Sequence, residues 1–284
     1  MIISVASGKG GTGKTTLASN LAVSLDTDLS LLDCDVEAPN LHLFIHPIVE
    51  TEEQVIAPVP EINLEKCTFC KKCMDICRFN AIAVLKKTAM IFENLCHSCG
   101  GCVQVCPENA LLEKPRSIGW IQKGSCGSIS TIQGKLDIGQ VMVPPIINKI
   151  RAFSQPDRLT IIDAPPGTSC PVIAAVKNTD FVILVTEPTP FGLNDLKLAV
   201  KTVKTLDIPH GIVINRADSG NDDVKDFARQ HNVPILMEIP FDKKIAQNYS
   251  IGRMMVDTLP GSREKFQALF KNIFNRINKN GLNQ

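Results

Sequence analysis

Two groups of residues in this chain have types and spacings that could do chemistry. Gly8-Lys9-Gly10-Gly11-Thr12-Gly13-Lys14-Thr15 fits the pattern G-x-x-x-x-G-K-[ST] at every position. Glycines there let the backbone curl so that successive N–H groups face phosphate oxygens. Lys14 then reaches the terminal phosphates, the Thr15 hydroxyl binds Mg²⁺, and the start of a helix carrying Thr16 adds positive potential. The pattern predicts an ATP/ADP site. The second group is cysteine. Cys67, Cys70, Cys73 and Cys77 recur as Cys96, Cys99, Cys102 and Cys106, each displaced by 29 residues. Thiolates are soft, anionic ligands suited to iron.

These residues need elements to hold them. A β-rich run over residues 2–6 leads into the glycine loop, and residues 14–25 have helical apolar spacing. A second strand ends at Asp33-Cys34-Asp35 and delivers two carboxylates. Further strands are predicted over 159–163, 181–186, 211–215 and 234–239, with helices near 193–206, 222–231 and 265–277. Continuous apolar strands alternating with helices predict an α/β fold, a mostly parallel sheet covered by helices on both faces. Strand-end loops then gather on one edge, where ligands bind. The cysteines interrupt this series between its second and third predicted strands. The domain reading is 1–60 and 116–284 for the two parts of a P-loop domain, with a small α+β insertion at 61–115.

The cysteine spacing C-x₂-C-x₂-C-x₃-C, twice, resembles bacterial two-cluster ferredoxins, in which the fourth cysteine of each run ligates the other cluster. The resemblance implies two [4Fe–4S] clusters, one on Cys67, Cys70, Cys73 and Cys106 and the other on Cys96, Cys99, Cys102 and Cys77. A zinc ribbon needs only two C-x₂-C pairs and leaves half of these cysteines unexplained. Arg78 stands where that motif usually has proline, while Pro107 follows the second run.

Lys9 extends the first motif to K-G-G-x-G-K-[ST], and the chain here resembles the MinD/ParA/Mrp and nitrogenase iron-protein group of P-loop ATPases. That resemblance implies an ATP-dependent homodimer in which Lys9 acts in trans and Lys14 in cis. It implies that Asp35 orients the attacking water and approaches Mg²⁺. Asp163 would hold Mg²⁺ through water, Gly167 would sense the γ-phosphate, and Asn215 would contact adenine. Asp33 stays open between a site carboxylate and a strand-end hydrogen-bonding residue. Cys170 lies seven residues beyond Asp163, an offset like that of the nitrogenase iron protein's cluster cysteine, and Cys126 is the candidate second ligand of a bridging cluster. The competing reading makes Cys34, Cys126 and Cys170 ordinary small hydrophobes. Functionally the resemblance implies an ATP-gated electron carrier with an unidentified redox or iron–sulfur partner. Alternatives are an Mrp-type cluster carrier and a MinD-like spatial organiser.

Composition narrows the field. The 284 residues carry a formal net charge of +1, with 44% hydrophobic and 21% charged residues, which gives no reason to expect nucleic acid. Eleven cysteines with no secretory leader predict a reducing cytoplasm and metal or redox use. No run approaches a membrane span. Phe266, Leu269, Phe270, Ile273, Phe274 and Ile277 form a C-terminal stripe, expected to pack on the sheet in preference to a membrane surface. The cysteine segment is not acidic; a solvated mixed-charge surface is preferred over a docking face for an anionic partner.

Overall fold

The structure, a computed structural model, describes residues 1–155 and 157–281. In chain order the elements begin β1 (Ile2–Ser7), α1 (Lys14–Ser24), β2 (Leu29–Asp33), α2 (His42–Ile45) and β3 (Ile48–Ile62). The cysteine segment contributes α3 (Lys72–Ile76), β4 (Ile82–Val84), β5 (Ala89–Ile91) and α4 (Gly101–Gln104). Then come β6 (Leu111–Cys126), β7 (Ile129–Leu136), α5 (Val143–Arg151), β8 (Leu159–Pro166), α6 (Cys170–Val176), β9 (Phe181–Thr186) and α7 (Pro190–Thr205). The chain closes with β10 (His210–Asn215), α8 (Asp223–Gln230), β11 (Ile235–Ile239), α9 (Lys243–Ser250), α10 (Met255–Thr258) and α11 (Ser262–Gly281).

A nine-stranded sheet runs β11-β10-β9-β1-β8-β2-β7-β6-β3. Every pairing from β11 to β7 is parallel, and the last two are antiparallel. The predicted strands and helices of the α/β body are all present. Their apolar runs are buried because helices cover both faces. One core joins the sheet to α5, α6, α7 and α8, with Ile146, Ile162, Leu184 and Val200 among its members. The other joins it to α1 and α11 through Leu17, Leu21, Phe266, Leu269 and Ile273. Phe266, Leu269 and Ile273 of the C-terminal stripe therefore pack inward with Phe270 and Ile277 partly buried beside them, while Phe274 stays exposed. Arg263 and Gln267 also donate to the carbonyls of Val23 and Ser24 at the end of α1.

The sequence reading did not foresee β3, β6 and β7. The third parallel strand in chain order is β7, paired to β2 through Ile129↔Leu29 and Gln133↔Asp33, and not the strand at 159. β3 and β6 form a long antiparallel ribbon registered from Ile48↔Ser125 to Ile62↔Leu111. Because Gly119 pairs with Leu136, the last residue of β7, residues 111–118 continue past the edge where the parallel strands end. Eight residues of strand reach about 26 Å. The ribbon thus carries the cysteine segment out from the same edge as the glycine loop. Gly134 lets α5 lie close against this corner: a Cβ there would stand 2.7 Å from Ile150 Cδ1 and 2.8 Å from Ile146 Cγ2.

The cysteine segment is a small α+β unit. β4 pairs antiparallel with β5 as a separate two-stranded sheet. Its buried apolar residues are few, chiefly Ile82, Val84, Leu111 and, beside Val59, Ala81. The internal repeat extends to the backbone. Phe69, Lys71 and Asn80 are left-handed, and so, 29 residues on, are Ser98, Gly100 and Asn109.

Candidate functional site

β1 is buried along Ile3–Ser7 and ends at the sheet's carboxyl edge, so the chain must turn there before entering α1. Gly11 and Gly13 make that turn with φ of 77° and 98°, a region open mainly to glycine. Gly13 is fixed twice over, since a Cβ would stand 2.7 Å from Asn215 Nδ2. Asn215, at the end of β10, donates that amide to the Thr12 carbonyl at 2.9 Å and so clamps the loop. Gly8 is needed for a different reason: a Cβ there would lie 2.3 Å from the Asp195 carbonyl oxygen.

The loop opens into a cavity of about 560 Å³. Gly10, Lys14, Thr15 and Thr16 line one end, Asp35 flanks it, and Asn215, Phe241 and Tyr249 line the rest. The volume suits a nucleotide-sized ligand. The Thr15 hydroxyl donates to Asp163 Oδ2 at 2.5 Å. Asp163 is fully buried, and its Oδ1 has no hydrogen-bond partner among the described residues. Burial lifts its pKa to about 7, against the pull of Thr15 and Lys14 and helped by nearby Asp35. An orphaned carboxylate oxygen beside a threonine hydroxyl and a buried lysine fits a divalent cation, whose charge would relieve that burial.

Asp33 is the neighbour of Asp163 across β2 and β8. Burial first, and then Asp163, push its pKa up. Its oxygens accept the backbone N–H groups of Asp35, Asn40 and Leu41, each at 3.1 Å. Asp33 therefore holds the 35–41 loop, and Asp35 is the partly open carboxylate presented to the cavity. Burial raises Asp35 too, opposed by Lys14.

Lys9 points within its own chain. Its Nζ lies 3.4 Å from Glu187, which also holds Arg216 at 3.0 Å, and the Ser7 hydroxyl donates to the Lys9 carbonyl at 2.5 Å. The Gly167 N–H donates to the Ser7 carbonyl at 3.0 Å, so that bond must break before the group can reach a phosphate. Glu187, Arg216 and Ser7 were not singled out from the sequence. The signal that could have found Glu187 is its position just past β9, on the edge where the strands end.

The cysteines fall into two sets. Cys77 lines a small cavity with Cys96, Cys99 and Cys102, of about 50 Å³ and walled by apolar groups including Phe79 and Ile82. Cys73 is near enough to Cys106 and Cys67 for their charges to raise its pKa, after burial; burial, then Cys96 and Cys99, raise Cys102 to about 11. Backbone N–H groups of Ala81 and Ala110 donate to Cys77 Sγ and Cys106 Sγ at 3.4 and 3.3 Å, equivalent bonds in the two repeats. Among the described residues no group of three His, Cys, Asp or Glu is set to hold a single metal ion. Thiols held apart around a void, with N–H groups aimed at sulfur, fit a multi-iron cluster, which spaces its ligands more widely than one ion does.

Cys126 and Cys170 are not brought together. Cys126 pairs with Ile129 at the edge where β7 begins, while Cys170 starts α6 beyond the end of β8, on the opposite edge. Cys34 is buried, as a small hydrophobe would be.

A parallel sheet with a glycine loop entering a helix, a lysine in the cradle and a carboxylate strand beside it defines a P-loop nucleotide-binding protein. Residues 3–254 match the family model for the CobQ/CobB/MinD/ParA nucleotide-binding domain, and the chain belongs to that family. It is 34% identical over 257 residues to the uncharacterized protein MJ0579 of Methanocaldococcus jannaschii, covering 89% of this chain and 90% of that one. It is 26% identical to the iron–sulfur cluster carrier protein of Aquifex aeolicus, over 92% of this chain and 63% of the carrier. The fold matches the septum site-determining protein MinD of Pyrococcus horikoshii, solved with Mg-ADP, at a TM-score of 0.57 and 21% identity, over 96% and 95% of the two chains. No helix among the described residues is long and apolar enough to cross a membrane.

Proposed function

We propose that this protein is an Mg²⁺-dependent ATPase switch, working as a homodimer, whose nucleotide state gates electron transfer through two [4Fe–4S] clusters in an inserted ferredoxin-like unit. On this reading residues 61–115 are the insertion, while 1–60 and 116–284 form the ATPase. The glycine loop N–H groups and Lys14 bind the phosphates. Thr15 and Asp163 hold the cation, and Asp35 orients water for attack on the γ-phosphate. Lys9 leaves Glu187 to reach the partner's nucleotide. Cys67, Cys70, Cys73 and Cys106 would hold one cluster, and Cys77, Cys96, Cys99 and Cys102 the other. When bound, such clusters supply one-electron chemistry at potentials tuned by hydrogen bonds to sulfur and by exposure.

One observation supports the coupling: hydrogen bonds at either end of the covalent 136–142 segment join the 35–41 loop on one side and the second cysteine loop on the other. The Leu136 N–H donates to the Val36 carbonyl at 2.9 Å, where β7 ends beside the nucleotide edge. Beyond it Ser98 Oγ meets Met142 Sδ at 3.3 Å. Arg116 donates to the carbonyls of Glu93 and Cys96. A shift of the 35–41 loop on ATP binding thus bears on the Cys96 loop through a few bonds. The test is EPR of anaerobically purified, reduced protein, spin-counted with and without MgATP. About two cluster spins per chain, with signal or reducibility changing on MgATP, is the expected result. Two clusters indifferent to nucleotide would defeat the gating.

The likeness to the Aquifex aeolicus carrier supports a second reading, cluster delivery. Transfer of iron and sulfide to an apo-ferredoxin would favour it. Retention of both clusters during turnover favours electron transfer.

A further inference from the structure

The two cysteine loops are repeats of one another, yet they face different surroundings. The second loop, Cys96–Cys102, lies against the ATPase body through Ser98–Met142 and Arg116–Cys96, and its Cys96 and Cys102 are buried. The first loop, Cys67–Cys73, has no buried cysteine, although Cys70 and its counterpart Cys99 are both exposed. Around it stand Lys66, Lys71 and Lys72, all exposed. The residues 29 positions on are Leu95, Gly100 and Gly101. So one repeat has three cations where the other has none. These lysines make no ion pair among the described residues. The nearest acids in sequence are Glu65 and Asp75, and the β4–β5 turn adds Lys86 and Lys87 next to Val84, whose N–H meets Met74 Sδ.

Lys71 gives an independent sign. It sits at φ 65°, the left-handed region, where its repeat counterpart is Gly100 at φ 69°. Glycine adopts that conformation without penalty, whereas lysine is strained there. The Lys71 carbonyl caps α3 by accepting the Met74 and Asp75 N–H groups, a role that needs no lysine side chain. A strained lysine whose exposed ammonium makes no ion pair among the described residues therefore points to use of that side chain by another molecule.

We propose that the first cysteine loop is a docking face for an acidic electron-transfer protein, with Lys66, Lys71 and Lys72 as its contacts. This rests on the reading that the cysteines hold redox clusters, and it names the partner's chemistry and the loop it meets. Carboxylates around the partner's redox centre would pair with the lysines, steering encounter and bringing that centre beside Cys70. The second loop, which touches the ATPase body through Ser98 and Cys96, is the nucleotide-sensing side. In each encounter one electron leaves the reduced protein and reduces the partner's one-electron centre; no covalent bond forms between the two proteins, and any proton the reduced centre takes up comes from solvent.

The test uses the full chain, iron-loaded, and an acidic flavodoxin as probe. Calorimetry should give an affinity that falls as salt is raised, and K66E/K71E/K72E should weaken it at least tenfold. K197E/K201E/K204E, an equal charge change on α7, should leave it within twofold. Stopped-flow oxidation of the reduced protein should be faster with an anionic cobalt(III) trisoxalate than with cationic hexaamminecobalt(III), after allowance for their potentials. The triple variant of the first loop should reverse that preference. Lys71→Gly should raise the thermal midpoint while weakening flavodoxin binding, a combination that a purely structural lysine would not give. Equal behaviour of both triple variants with iron retained would overturn this inference alone. A chain that binds no iron would overturn both it and the reading it rests on. Salt-dependent capture by phosphatidylserine vesicles with no affinity for flavodoxin would also overturn it.

Discussion

The nucleotide edge and the cysteine unit are organised by opposite means. At the nucleotide edge Lys14, Asp163 and Asn215 come from three distant strand ends, and a buried parallel sheet with helices on both faces fixes them. The cysteine unit draws its thiols from one continuous stretch and has little apolar core of its own. So small a core cannot hold a unit of this size without staples. The first site is shaped by burial before any ligand arrives; on the proposed function the second depends on the clusters its thiols would bind.

The largest effect expected from this contrast comes from removing the iron. Chelation under oxidising conditions should abolish hydrogen-exchange protection across residues 62–111 while protection in β1, β8 and β9 persists. Loss of protection in both regions would mean that they fold as one unit. Lys14→Ala should come next, lowering ATP affinity by about 100-fold through loss of a charged phosphate contact. Iron content, read by colorimetric assay, should be unchanged. Cys77→Ser and Cys106→Ser should each remove about half the iron, roughly four of eight atoms per chain. Mössbauer spectra should show the loss in a different cluster for each, because the two cysteines belong to different sets.

Smaller effects concern the joints. Glu187→Gln should release Lys9 and Arg216 and tighten ATP-dependent dimerisation by about fivefold, equivalent to roughly 1 kcal/mol. Sedimentation at several protein concentrations would read it, and weaker dimerisation would show that Glu187 instead positions Lys9 for its partner. The smallest change is Met142→Ala. Hydrolysis should stay within about twofold, under 0.5 kcal/mol in barrier. The response of the reduced-cluster EPR signal to MgATP should shrink, and a full response would break the proposed path from the 35–41 loop to Cys96.

The candidate site residues were legible in the sequence because their signals are local. A phosphate loop is eight contiguous residues between a strand and a helix, and the cysteine runs repeat within one short segment. Apolar runs at 159–163, 181–186 and 211–215 announced buried parallel strands for the same reason, since a strand covered on both faces needs apolar side chains throughout. β7 escaped notice because Ser130, Thr131 and Gln133 interrupt its apolar residues. β3 escaped because it carries Pro58 and Pro60, which argue against a strand; it lies at the sheet's edge, where proline is tolerated.

What tertiary structure alone decided is a matter of long-range partners. Sequence offered Asp33 two roles, and only the fold of the 35–41 loop back onto β2 gave its oxygens three backbone donors. The resemblance gives Lys9 a role in another subunit but not its partner within the chain, Glu187, which is distant in sequence. Cys126 and Cys170 looked like a pair until antiparallel β6 and parallel β8 sent them to opposite edges. Motif spacing fixes which atoms can act together within a few residues. The pairing direction of strands fixes which edge of the sheet they act on, and that direction is set by burial and hydrogen bonding summed over the whole chain.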